Sequence, residues 1–249
     1  MTDLFQATLS MPGLVPVLLV TFAAGLVYGF AGFGAALIYM PLATIWVPPP
    51  VAVAGLALSA VSSLVTVVPR AIRQVEPGPT ALMIGAALLT APLGIWVLRT
   101  ADPLALRWMM SGFVALTLAA LMAGWRYSAV PGRAARALVG AATGVVGGAT
   151  GLTGPVVILF HLGGQGSAAA NRANTLVFLT VLSLLLLPQL ALQGLLSAPA
   201  IGLGLLQLIP YAAGSRLGQA IFDPSRETLY RRSAYVLIAA AVVLGLPKG

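Results

Sequence analysis

The stretch GLVYGFAGFGAALIYMP, Gly25 to Pro41, carries no charge and four closely spaced glycines, Gly25, Gly29, Gly32 and Gly34; GAATGVVGGATGLTGP, Gly140 to Pro155, echoes it. A glycine every three or four residues suits close packing of helices in a bilayer, which Gly25, Gly29, Gly140 and Gly144 satisfy. Gly32 and Gly34, and then Gly147, Gly148 and Gly151, are spaced too irregularly for one helix face. Followed by Pro41 and by Gly154 with Pro155, they read as helices broken within the membrane. Unwound backbone at that depth is tolerated only where protein buries it or where it lines a cavity. The half-helices that follow would aim free N–H groups into that cavity, which makes an anion site without any side chain.

The rest of the chain requires lipid. Of 249 residues 59% are hydrophobic and only 7% charged, and the mean hydropathy is +1.01. A water-soluble globule of this size needs far more polar surface, and a disordered chain needs low hydrophobicity. The net charge of +8 comes from thirteen basic residues that punctuate apolar runs. That pattern fits cytoplasmic loops better than a face for nucleic acid. Without cysteine there is neither a disulfide nor a thiolate metal site, and the sequence calls for no cofactor and no metal. MTDLFQATLS lacks the basic start of a cleaved signal peptide, so the apolar stretch after it is expected to remain as a span.

Uncharged gaps of roughly 20 residues or more count the crossings. They give an all-α polytopic membrane protein with 8 to 10 passes, depending on whether each Gly-rich segment crosses once or twice. With ten, the loops holding Arg70 and Arg73, then Arg126, Arg133 and Arg136, then Arg172, then Arg216, Arg226, Arg231 and Arg232 share one side. The basic residues then divide ten against three. The positive-inside rule favours this count, with both termini outside the cell. The glycines match as Gly25, Gly29 and Gly32 with Gly140, Gly144 and Gly147, and a one-residue slip aligns Pro41 with Pro155. Asp102–Pro103 and Asp223–Pro224 match as helix starts. Two homologous halves follow, 1–127 and 134–249, in one integral membrane domain. Five crossings each would invert the second half relative to the first.

With these motifs in place, and with Arg172–Asn174 reading RAN, the whole chain resembles the TauE/SafE sulfite exporter family of membrane transporters. The resemblance implies a transporter rather than an enzyme, in a bacterial inner membrane. Its substrates would be small sulfur-containing anions such as sulfite or organosulfonates. Ala35 and Ala36, and Ala149 and Thr150, stand where the family's commonest glycine run continues, and their methyl groups would narrow a backbone cradle. An anion-selective channel would use the same parts. An intramembrane enzyme would need a nucleophile with a base, paired carboxylates or metal ligands within the spans, and the sequence offers one histidine and no membrane acid.

The expected substrate site comprises Gly32, Gly34, Gly147, Gly148 and Gly151 with Asn171, Arg172 and Asn174. Arg172 has two readings, an anchor at a helix end or a charge on the anion path. Cavity lining is expected from Ser59, Ser62, His161 and Thr180, although such hydroxyls often bond back to a carbonyl one turn earlier and a lone histidine is more often structural. Trp46, Trp96, Trp108, Trp125 and Tyr127 fit an aromatic belt at span ends. Asp3, Glu76, Asp102, Asp223 and Glu227 all fall in loops or at helix ends, so an intramembrane proton relay is missing and potential-driven export is expected. Expected partners are a small anion and lipid; a homodimer is compatible with the sequence.

Overall fold

The computed structural model describes residues 8–124, 131–163, 167–223 and 227–247, and every regular element among them is a helix. Asp3, Trp125, Arg126, Tyr127, Pro224, Arg226, Lys248 and the junction expected near 128–132, up to Val130, lie outside the described residues. The order is α1 (Leu14–Ala31), α2 (Ala35–Ala43), α3 (Pro49–Ser59), α4 (Ser63–Thr66), α5 (Val68–Ala71), α6 (Pro77–Thr100) and α7 (Pro103–Met122). Then come α8 (Arg133–Thr150), α9 (Pro155–Gly163), α10 (Ala168–Leu192), α11 (Ala198–Ile221) and α12 (Glu227–Gly245). A 3₁₀ turn, Ala60–Ser62, joins α3 to α4, so that 49–71 forms one nearly continuous, irregular rod.

Six segments are long and apolar enough to cross a membrane: Leu14–Ala31, Pro49–Thr66, Pro77–Thr100, Pro103–Met122, Ala169–Leu192 and Thr228–Gly245. The outward surface of such helices is apolar, with Leu89 83% and Leu192 88% exposed. Polar side chains such as Thr21, Thr143 and Gln207 are instead fully buried, as expected when the surroundings are hydrocarbon rather than water. At nine residues each, α2 and α9 are about 13 Å long and too short to span. The second passes inferred after Gly32 and after Gly151 are therefore half-helices.

Glycine makes both breaks. Gly32 ends α1 at φ 80° with its N–H bonded to the Tyr28 carbonyl (2.9 Å), and Gly151 ends α8 at φ 71° with its N–H bonded to the Gly147 carbonyl (2.8 Å). Residues with a side chain rarely adopt this left-handed conformation.

The most extensive helix contacts are α6 with α8 and α11 with α1. Glycines set the approach. A Cβ at Gly25 or Gly29 would land on the Tyr211 or Ser215 carbonyl, and one at Gly144 or Gly148 on the Ala87 or Ala91 carbonyl. Gly214 and Gly218 meet the Phe22 and Leu26 carbonyls in return, and Gly94 meets that of Val145. Pro92 removes the N–H that would bond the Leu88 carbonyl within α6. Gln189 of α10 supplies the missing donor (3.1 Å), and Gln193 bonds the Pro92 carbonyl (3.1 Å).

The positions of the two breaks differ from the expected register of the repeat. Gly32 and Gly151 occupy the same place, the left-handed end of a first helix, so Gly25, Gly29 and Gly32 correspond to Gly144, Gly148 and Gly151. That is one helical turn beyond the match suggested by the glycines alone. Both triplets have the same four-then-three spacing, so the sequence is ambiguous by a turn and only the break resolves it. Pro41 and Pro155 are likewise not equivalent, since Pro41 lies inside α2 and Pro155 is the first residue of α9.

Candidate functional site

The two breaks meet at one small cavity of about 50 Å³. Gly34, Ala35, Ala36 and Leu37, the start of α2, line it together with Gly151, Thr153 and Gly154, which lead into α9. The first N–H groups of a helix have no partner within it, and they carry the positive end of its dipole. The Ala35, Ala36 and Ala57 methyls narrow the space. Hydroxyls come from Tyr28, Thr153, Thr180, Ser183 and Tyr211; the Tyr28 and Thr180 oxygens are hydrogen-bonded to each other at 3.1 Å, and the Tyr28 and Tyr211 rings lie 5.9 Å apart.

Beside it lies a vestibule of about 550 Å³. Ile158 lines both spaces. Three cations, Arg70, Arg172 and Arg231, line the vestibule together with the polar Gln74, Gln219 and Asn171 and the aromatic Phe30, Phe33, Phe222 and Tyr230. Arg172 Nη2 donates to the Gly29 carbonyl at 2.6 Å, and its guanidinium carbon lies 4.7 Å from the centre of the Phe222 ring. Its Nε is buried without a partner among the described residues. The Gly29 carbonyl belongs to the last turn of α1, where the break leaves carbonyls without helical donors.

The sequence-derived site residues therefore separate. Gly34 and Gly151 lie at the central cavity, and Gly32, Asn171 and Arg172 at the vestibule. Gly147 lies at neither: it makes room inside α8 for the Thr153 side chain, which a Cβ there would meet at 2.7 Å. Gly148 is a packing residue against the Ala91 carbonyl, not a cavity residue. Asn174 faces away from both spaces, because its Oδ1 accepts from the Glu76 N–H (2.8 Å) at the start of α6.

Among the expected lining residues only Thr180 faces the cavity. Ser59 and Ser62 turn their hydroxyls back to the Leu56 (2.7 Å) and Ser59 (2.8 Å) carbonyls. His161 is buried behind the vestibule with Nδ1 2.8 Å from the Thr175 hydroxyl, which itself donates to the Asn171 carbonyl. Tyr28, Tyr211, Thr153 and Ile158 were not expected at the site. Tyr28 carried a signal, as the one polar aromatic between the spaced glycines of the first break. Tyr211 carried none, since only the packing of α11 on α1 brings it there.

A helical membrane protein whose two broken helices converge on a small cavity beside a charged vestibule has the architecture expected of a carrier. A family model described as sulfite exporter TauE/SafE matches residues 17–244. The chain belongs to that family of multi-pass membrane transporters. Comparison with curated proteins and with solved structures gives no match.

Proposed function

We propose that the chain exports small sulfur-containing anions, sulfite or compact sulfonates, through the central cavity between two inverted repeats, 1–127 and 134–249. The observation that carries this reading is the convergence of Gly34–Leu37 and Gly151–Gly154 on one small cavity. Two helix starts, each worth about half a positive charge, offset the loss of water around an anion without a bound cation. The hydroxyls of Thr153, Thr180 and Ser183 add donors.

The reciprocal packing of α6 on α8 and of α11 on α1 supports the inverted arrangement. So does the shared order in each half: a long helix ended by glycine, a nine-residue half-helix, then three longer segments. Both termini then lie outside a bacterial inner membrane, and the vestibule with Arg70, Arg172 and Arg231 opens to the cytoplasm. There it gathers anions ahead of the cavity.

The test is flux of sulfite and methanesulfonate from proteoliposomes containing the purified protein. Saturable flux is expected, and Thr180→Val, which keeps the shape and removes the hydroxyl, raises the half-saturating concentration about tenfold, or about 1.4 kcal/mol. No flux of either anion in the wild-type protein would refute the substrate class; an unchanged half-saturating concentration in Thr180→Val would move the site away from the cavity.

A further inference from the structure

The two breaks are alike in backbone and unlike in what backs them. A Cβ at Gly32 would fall 2.7 Å from Cγ and 3.0 Å from Nε of Arg172, on α10. At Gly151, the corresponding position, it would fall 3.1 Å from Val53 Cγ2, on α3, and 3.2 Å from Met40 Sδ, on α2. The counterpart of the arginine is thus a valine. The half-helices also repeat one another: the Ile158 N–H bonds the Gly154 carbonyl (2.8 Å), and the Ile38 N–H bonds the Gly34 carbonyl (3.1 Å). Ile158 lines both the cavity and the vestibule, whereas Val53 lines the cavity beside the second break. Met40 and Leu152 are 0% exposed, and Ile38 and Val53 3%.

We infer that Met40, Val53 and Leu152, packed around Gly151 at the second break, form the closed exit of the transport route, on the side of the cavity opposite the Arg172 vestibule. The inference rests on the reading of the cavity as an anion path between inverted halves. An apolar seal of this kind excludes water, and an anion crosses it only if the seal parts, because a dry constriction offers nothing to replace hydration. Gly151 allows the close approach that shuts it. Met40, with its flexible thioether, is suited to repacking when α3 moves away from the second break. The placement also gives the route a polarity. Cations hold anions at the entrance, and none of the exit residues can rebind them.

The chain contains no cysteine, so single reporters need no background removal. Val53→Cys and Leu152→Cys, and Gln74→Cys on the vestibule wall, are reconstituted into vesicles and exposed to an impermeant maleimide in excess outside. Molecules whose vestibule faces the lumen present only the exit to the reagent, and those of opposite orientation present only the vestibule. At rest, the two exit reporters should label at least tenfold more slowly than Gln74→Cys. Sulfite confined to the lumen should then raise their labelling at least tenfold. Resting labelling as fast as that of Gln74→Cys would overturn the seal. So would a variant that moves sulfite with no rise in labelling, and Met40→Cys repeats the measurement where Val53→Cys does not insert. A wild-type protein that moves no sulfite refutes the function reading instead, while the resting comparison still decides the seal.

Discussion

Arg172 performs two tasks with one side chain, and they can be separated. Its Nη2 satisfies the Gly29 carbonyl at the end of α1, and its charge faces the vestibule over the Phe222 ring. Arg172→Ala removes both. A buried carbonyl left without its charged donor costs about 1–3 kcal/mol, which thermal unfolding in detergent will show. Sulfite flux falls as well, because the entrance loses its deepest cation. Arg172→Lys keeps the charge but not the planar fork or the stacking on Phe222, so it should recover flux further than it recovers stability. Equal recovery of both would mean that the carbonyl bond contributes nothing separate. The sequence singled out Arg172 because it is a charge beside both a break and a long apolar run. It misplaced Asn174, two residues on, because the partner is the Glu76 N–H, 98 residues away in the chain. Asn174→Ala should accordingly lower the unfolding temperature and leave the half-saturating sulfite concentration unchanged.

At the scale of helices, glycine spacing announced close packing and broken segments, and both are present. It could not supply the register, because Gly140, Gly144 and Gly147 match the first triplet as well as Gly144, Gly148 and Gly151 do. Nor could it separate a packing glycine from a cavity glycine: Gly147 and Gly148 are neighbours, yet one accommodates Thr153 and the other the α6 backbone. The length of the half-helices was also hidden, since an uncharged run does not reveal where a helix stops. Gly148→Ala tests the packing directly. Its methyl would sit 2.5 Å from the Ala91 carbonyl oxygen and 2.9 Å from the Ile95 nitrogen, both backbone atoms that cannot rotate away. Forced separation of α6 and α8 should destabilise the protein by about 1–3 kcal/mol. The equivalent change at Gly29 should cost a similar amount, whereas Gly112→Ala, with open space around it, should cost nothing measurable. A similar loss at all three positions would mean that the cost is one of backbone freedom rather than of contact.

For the molecule as a whole, the distribution of charge decides how transport is powered. Among the described residues the acids stand at the edges of helices: Glu76 precedes α6, Asp102 caps α7 by accepting from the Ala105 N–H (2.9 Å), Asp223 follows α11, and Glu227 is the first residue of α12. Among the described residues the polar lining of the cavity is backbone and hydroxyl and that of the vestibule mainly arginine and glutamine, with no carboxylate in either to carry a proton or bind sodium. A monoanion leaving a cell that is negative inside gains about 2.3 kcal/mol per 100 mV, enough for a roughly fiftyfold gradient with no coupled ion. Outward sulfite flux should therefore rise steeply when a potassium diffusion potential makes the lumen negative on the vestibule side. It should be unaffected by collapsing a proton or sodium gradient while the potential is clamped. Sulfite protonates near neutral pH, so methanesulfonate, which stays a monoanion throughout, separates the charge of the substrate from any titration of the protein. Flux of methanesulfonate that stops when a proton gradient is removed at constant potential would contradict this account and place a coupling group somewhere in the described helices.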